Sequence, residues 1–310
     1  MSQADETHNG NRPDSESDAI LINWARRAVI KPRRLGACVV TGTDKIRSGF
    51  GNGDCLMLDF KNLVFAVSDA TERFPFASRS LLTRFAGLLT GESVPGTKAD
   101  WLDLINALYA RQTYNHKTTL SCVALHRQAQ ATTAYVIHGG DSIVLLINLG
   151  TRKIEYTSSP DMCFAGRAKG LTSIAEISIE NGDYGFIIAS DGIADTARLS
   201  GRTLEKVSGS VLSRLPLHEI PEGLARYLNG LPDPAEYDDI GLIALSPTKL
   251  EDEDHPTILI GGTTPAEETA FQRRLASRAI DDRWVTLRGL KPETGVNFSG
   301  VVTRNQTLRI

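Results

Sequence analysis

Aspartate recurs in this sequence where an apolar run stops. The stretch GFIIASDGIAD, residues 185 to 195, carries four apolar residues and a serine straight into Asp191 and Gly192. Similar junctions occur at Asp54 in GNGDC, Asp69 in AVSDA and Asp141 in GGDSI, and YDDIG sets Asp238 and Asp239 in front of another apolar run. Any one of these reads as a solvated strand terminus or a turn residue, because an aspartate side chain bonds its local backbone. As a set they pose an electrostatic question. Carboxylates crowded together raise one another's pKa values, and a cation removes that cost. No histidine or cysteine pairs with them, and oxygen-only ligands select hard octahedral metals such as magnesium or manganese.

The elements that must position these side chains follow from periodicity. LGACVVTG, CLMLDF and NLVFAVSDA read as strands, and AILINWARRAVI before them as a short helix. Two helices come next. In the first, Leu81, Leu82, Phe85, Leu88 and Leu89 share a face; in the second, Trp101, Leu104, Ile105 and Leu108 do, behind a capping box of Thr97 and Asp100. TTLSCVALH, ATTAYVIHG, SIVLLINLG and KIEYTSS have meander spacing. TSIAEISIENGDYGFIIASD predicts a hairpin across ENGD, residues 192 to 230 predict helices, and DDIGLIALS is a last strand. Strands, paired helices, more strands, helices and a strand make an α+β pattern rather than βαβ alternation.

Bulk properties narrow the function classes. The 310 residues carry a net charge of -3, with 41% hydrophobic and 23% charged residues, which is ordinary for a globular protein and points to no nucleic acid partner. The four cysteines form no Cys-x-x-Cys and read as free thiols in a reducing compartment. The polar, acidic start lacks a signal peptide's basic and apolar regions, and no apolar run is long enough to span a bilayer. The expectation is a cytoplasmic protein with no membrane partner. Residues 1–18 are read as a disordered N-terminus, 19–248 as the main domain and 249–310 as a C-terminal accessory extension. The extension starts with the charged linker KLEDEDHP and a capped helix at TTPAEETAFQRRLASRAI. It is expected to dock on the main domain or a partner and to supply no metal ligand.

Read in order, NGD, VFAVSDA, KTTLSCVAL, AYVIHGGDSIVLLI, DYGFIIASDGIAD and YDDIGLIAL resemble the metal-dependent serine/threonine protein phosphatases of type 2C, as a divergent member. The resemblance runs from residue 36 to 246. It implies a four-layer αββα sandwich, two antiparallel β-sheets flanked by helix pairs, with two bridged Mn2+ or Mg2+ ions at one end. Carried over by position, Asp69 bridges both ions. Asp191 and Asp238 complete the coordination of the first ion, and Asp54 serves the second ion, partly through water, with the backbone carbonyl of Ala70. Asp141 faces a third, weaker position. The implied chemistry is hydrolysis of phosphoserine or phosphothreonine in proteins by a metal-bridging hydroxide. The implied partners are a phosphorylated protein substrate and a cognate serine/threonine kinase system.

Several positions depart from that pattern. Ala70 stands where the family has glycine, and would strain the turn if that glycine has positive φ. The phosphate-binding arginine falls at Gly49, with Arg47 and Arg73 nearby. Asp239 replaces an asparagine. Glu72 is read as an exposed helix-start residue in preference to a leaving-group acid, His138 as a strand-face residue, and GRAKG, residues 166 to 170, as a solvated loop in preference to a phosphate-binding one. These departures frame an alternative: a catalytically weak or inactive relative that binds a phosphoprotein or regulatory partner.

Overall fold

The computed structural model describes residues 20–23, 27–30, 35–42, 52–71, 74–91, 94–111, 116–128, 131–179, 182–194, 216–221, 223–224, 237–250, 257–262 and 301–303. They build an α+β fold of two seven-stranded antiparallel sheets. In chain order the strands are β1 (Ile20–Asn23), β2 (Arg27–Ile30), β3 (Leu35–Val40), β4 (Asp54–Asp59), β5 (Val64–Asp69), β6 (Leu120–Arg127), β7 (Thr132–Gly139), β8 (Ile143–Asn148), β9 (Lys153–Thr157), β10 (Ala175–Ile179), β11 (Tyr184–Ala189), β12 (Ile240–Leu245), β13 (Thr257–Gly261) and β14 (Val301–Thr303). One sheet has the order β1-β2-β3-β12-β11-β8-β9, the other β10-β7-β6-β5-β4-β13-β14.

The sheets face each other across one core. Leu35, Val39, Val144, Phe186, Ile188 and Ile243 of the first sheet pack with Leu56, Phe65, Val67, Val123 and Val136 of the second. Strands buried on both faces read as continuous apolar runs, as β11 and β12 do. The outer face of the second sheet is covered by α1 (Phe76–Gly91) and α2 (Lys98–Ala110). Leu81, Leu82, Phe85 and Leu89 of α1 and Trp101, Ile105 and Leu108 of α2 sit there with Cys55, Ala66 and Cys122. Thr97 caps α2: its hydroxyl accepts the Asp100 N–H at 3.2 Å and donates to the Asp100 carboxylate at 2.6 Å. On the outer face of the first sheet, Ile193, Leu217, Ile220 and Tyr237 pack against Cys38, Val40 and Leu242. Most of the helices expected over 192–230 lie outside the described residues. No helix among the described residues is long and apolar enough to cross a membrane.

Three local expectations are corrected. The segment read as a short helix is the β1–β2 hairpin, in register Ile20↔Ile30, with β2 paired on β3. Its β-branched Ile20, Ile22, Val29 and Ile30 favour a strand once a partner edge is present. The hairpin across ENGD does not form. β10 pairs with β7, β11 lies between β8 and β12, and the two belong to different sheets. Their burial separates them, since β10 alternates as an edge strand while β11 is almost wholly buried. The meander is also broken. β6–β7 and β8–β9 are hairpins, but between Gly139 and Ile143 the chain crosses from one sheet to the other. GGDS is that crossover, and Gly140 takes φ 110°, a conformation that L side chains rarely adopt.

Beyond Leu250 the chain returns to the second sheet. β13 pairs antiparallel with β4, Ile260 opposite Met57, and β14 pairs with β13. Ile258 and Ile260 are buried beside α1, and the buried Arg79 of α1 donates to the Gly262 carbonyl at 3.2 Å. The capped helix expected at 264–280 lies outside the described residues.

Candidate metal centre

All five aspartate segments end at one edge of the sandwich. β4 starts at Asp54 and β5 ends at Asp69, and the two are cross-strand partners. Asp141 sits on the crossover between sheets, Asp191 follows β11, and Asp238 and Asp239 precede β12. Asp69, Asp141 and Asp191 each bring one carboxylate oxygen within 4.8 Å of the others. Asp69 is half-buried and the other two are more open.

Asp54 and Asp238 stand just outside that group. Asp54 is wholly buried. Its Oδ2 accepts a 2.5 Å hydrogen bond from the Ser190 hydroxyl, while Oδ1 has no donor. Burial above all, then the charges of Asp69 and Asp239, push its pKa well up; the Ser190 hydroxyl offsets part of this. Burial likewise raises the pKa of Asp69, followed by the charges of Asp191, Asp239 and Asp238. Asp238 accepts the Asp239 N–H at 2.8 Å. Asp239, whose charge replaces a neutral amide in the resembled pattern, is a clamp. Its two oxygens accept the Gly42 and Gly53 N–H groups, each at 2.7 Å, and tie the end of β3 to the start of β4. A Cβ on Gly192 would fall 1.9 Å from the Asp239 carbonyl, so the turn after β11 approaches the Asp238–Asp239 segment more closely than any other residue allows.

Ala70 is not strained. Among the described residues, the non-glycine positions with positive φ are Leu63 and Arg152. The Ala70 N–H donates to the Gly53 carbonyl at 3.0 Å, and the residue bridges to Thr118. Arg47, Gly49, Glu72 and Arg73 lie outside the described residues. His138 faces Ser121, with its Nδ1 at 2.9 Å from the hydroxyl, and burial lowers its pKa.

Sequence reasoning missed a framework of hydroxyls. Thr118 Oγ1 donates to the Asp69 carbonyl at 2.6 Å, and the Asp69 N–H donates to Thr119 Oγ1 at 2.9 Å. Thr119 Oγ1 in turn lies 2.7 Å from Ser142 Oγ. Ser190 Oγ accepts the Gly241 N–H at 2.9 Å while it donates to Asp54, so one hydroxyl joins the two sheets. A signal was present: Asp69, Asp141 and Asp191 each adjoin a serine in the chain. An adjoining hydroxyl can bond neighbouring backbone and leave the carboxylate to point elsewhere.

The chemistry of the donors fits a hard cation. All are oxygens, three converge, and a buried carboxylate oxygen lacks a partner. No protein-family model matches the chain, and no curated protein does. Solved structures do. The photosystem II phosphatase PBCP is 17% identical with a TM-score of 0.51, covering 71% of this chain and 99% of that one. RsbX in complex with magnesium is 16% identical with a TM-score of 0.47, covering 70% of this chain and 96% of that one. The PP2C phosphatase domain of SpoIIE from Bacillus subtilis is 15% identical with a TM-score of 0.49, covering 69% and 63%. At such identities the likeness to PBCP is one of fold.

Proposed function

We propose that this protein is a metal-dependent phosphatase acting on phosphoserine or phosphothreonine in protein substrates, opposite a cognate kinase in the cytoplasm. The observation that carries the reading is the convergence of Asp69, Asp141 and Asp191 at the strand ends of a phosphatase-like sandwich. Asp69, Asp191 and Asp238 would hold the first magnesium or manganese ion. Asp54 and the Ala70 carbonyl, together with Asp69, would hold the second, and Asp141 would serve a third. Bound there, such ions supply Lewis-acid charge to the phosphoryl oxygens and acidify water.

The chain's own part is to keep like charges together before a cation arrives. Thr118 and Thr119 hold the backbone of Asp69 through its carbonyl and its N–H, which keeps the strand end that carries it beside Asp191. Ser190 holds one oxygen of Asp54 and leaves the other free of protein donors. Asp239 fixes the backbone on either side of the site without spending a ligand.

The test is hydrolysis of p-nitrophenyl phosphate and of phosphoserine and phosphothreonine peptides by the purified full chain, with manganese, with magnesium and with chelator. The expected result is turnover with metal and none with chelator. Absence of turnover on every substrate in millimolar manganese would sink the enzyme reading and favour a phosphoprotein-binding relative.

A further inference from the structure

The residue in front of Thr118 and Thr119 is a lysine, in KTTL, where the resembled segment has glycine. Its ammonium lies 3.9 Å from Asp141 Oδ2 and 3.7 Å above the ring of Phe164. The geometry points to Lys117 as the side chain that binds a non-bridging oxygen of the substrate's phosphoryl group. This rests on the phosphatase reading and adds a recognition residue to it.

Three observations support the assignment. Lys117 is held in place. Thr118 next to it bridges to Ala70 on one side and Ala165 on the other, and its hydroxyl is bonded to Asp69. The ring beneath the ammonium is closely packed: Phe164 is 3% exposed, and its edge lies 3.0 Å from where a Cβ would stand on Gly140, next to Asp141. The second observation is access. The Lys117 side chain is 39% exposed. An ammonium has three donors, and at 3.9 Å the contact with Asp141 is an ion pair too long to be a hydrogen bond. The third is charge. A phosphoryl group carries roughly two negative charges at neutral pH, and the carboxylates around the site repel it. A cation on the rim of the carboxylate group, packed on an aromatic face, supplies attraction where the substrate enters. Were Asp141 to ligate a metal ion, the Lys117 ammonium beside it would be left to face a phosphoryl oxygen.

The experiment is calorimetric titration of inorganic phosphate into the magnesium-loaded full chain, for the wild type, Lys117→Met and Lys117→Arg. Phosphate affinity should fall about tenfold or more in Lys117→Met and stay within about threefold in Lys117→Arg, as expected for one charge-assisted hydrogen bond. Added salt should weaken phosphate binding more in the wild type than in Lys117→Met. Equal affinity in wild type and Lys117→Met overturns the assignment, as does failure of the wild type to bind phosphate. An equal loss in both variants also overturns it, because the role would then be packing on Phe164. Binding is read without turnover, so the two ideas fail separately. A wild type that hydrolyses aryl phosphate while Lys117→Met keeps its phosphate affinity removes only the Lys117 role. Lys117-dependent phosphate binding without hydrolysis removes only the enzyme reading.

Discussion

β4 begins and ends with an aspartate, and both are wholly buried. At its far end, Asp59 accepts the Asn62 N–H at 2.9 Å and the Asn62 side-chain amide at 2.7 Å, closing the turn into β5. At its near end, Asp54 has one hydroxyl donor and one oxygen with none. Burial raises the pKa of both. The backbone and side chain of Asn62, with Lys61, pull Asp59 back, whereas Asp69 and Asp239 push Asp54 further. One strand thus carries two buried carboxylates in opposite circumstances. Where the surroundings are donors, the carboxylate serves the fold. Where they are more carboxylates, it costs the fold something, and a function must account for its presence.

Substitution should break the symmetry between the two ends most strongly in catalysis. Asp69→Asn, Asp191→Asn and Asp238→Asn should each lower manganese-dependent aryl phosphate turnover by about a hundredfold or more, since each removes a charge proposed to hold metal. Asp59→Asn should leave the rate within about twofold and lower stability to urea by about 1 kcal/mol, through the lost pairing with Asn62. A rate collapse in Asp59→Asn would erase the distinction. Ser190→Ala comes next. It strips Asp54 of its donor and the buried Gly241 N–H of its acceptor, at a cost of about 1–3 kcal/mol in metal-free protein. An unchanged urea midpoint would mean that the hydroxyl does not join the sheets as described.

The pH dependence sharpens the comparison in metal-free protein. The unfolded reference for Asp54 is 3.8, and the folded value lies well above it. The folded chain therefore binds this proton more readily than the unfolded chain does. Its contribution is present in full below 3.8 and is lost as pH rises through the folded value. With chelator at neutral pH, Asp54→Asn should melt higher than the wild type, and the gap should narrow as the pH falls toward 4. A gap that is absent, or that widens on acidification, would show that the Asp54 charge carries no penalty. The smallest effect is expected from Ala70→Gly. With no left-handed backbone to relieve, metal affinity by calorimetry should stay within about twofold, and stability should drop by about 0.5–1 kcal/mol from added chain freedom. Clearly tighter metal binding would reveal strain at Ala70.

Most of the central strands and the two helices on the second sheet were legible because their signals are local. Leu81, Leu82 and Phe85 repeat at helical spacing, and strands such as FIIA and LIAL are apolar throughout. The aspartates stood out because each interrupts such a run. Sheet membership was not legible. Nothing in ENGD or GGDS says whether the chain turns back onto its own sheet or crosses to the other, because that depends on partners far away in sequence. The role of Asp239 was equally closed to inspection. Adjacent residues of one type point in different directions, and only the position of Gly42 and Gly53 makes Asp239 the clamp. Lys117 gave no signal either, since its meaning comes from Phe164 and Asp141, which reach it through the fold.

β13 has a consequence for the newly made chain. β4 is flanked by β5 on one side and by β13 on the other, and about 200 residues separate β4 from β13. Contacts that distant form late and slow the search for the native arrangement. Until residue 261 has left the ribosome, β4 presents an open row of amide and carbonyl groups along an apolar strand, a surface prone to pairing with other nascent chains. The strand that carries Asp54 thus remains a sticky edge for most of synthesis, and β13 is what finally closes it.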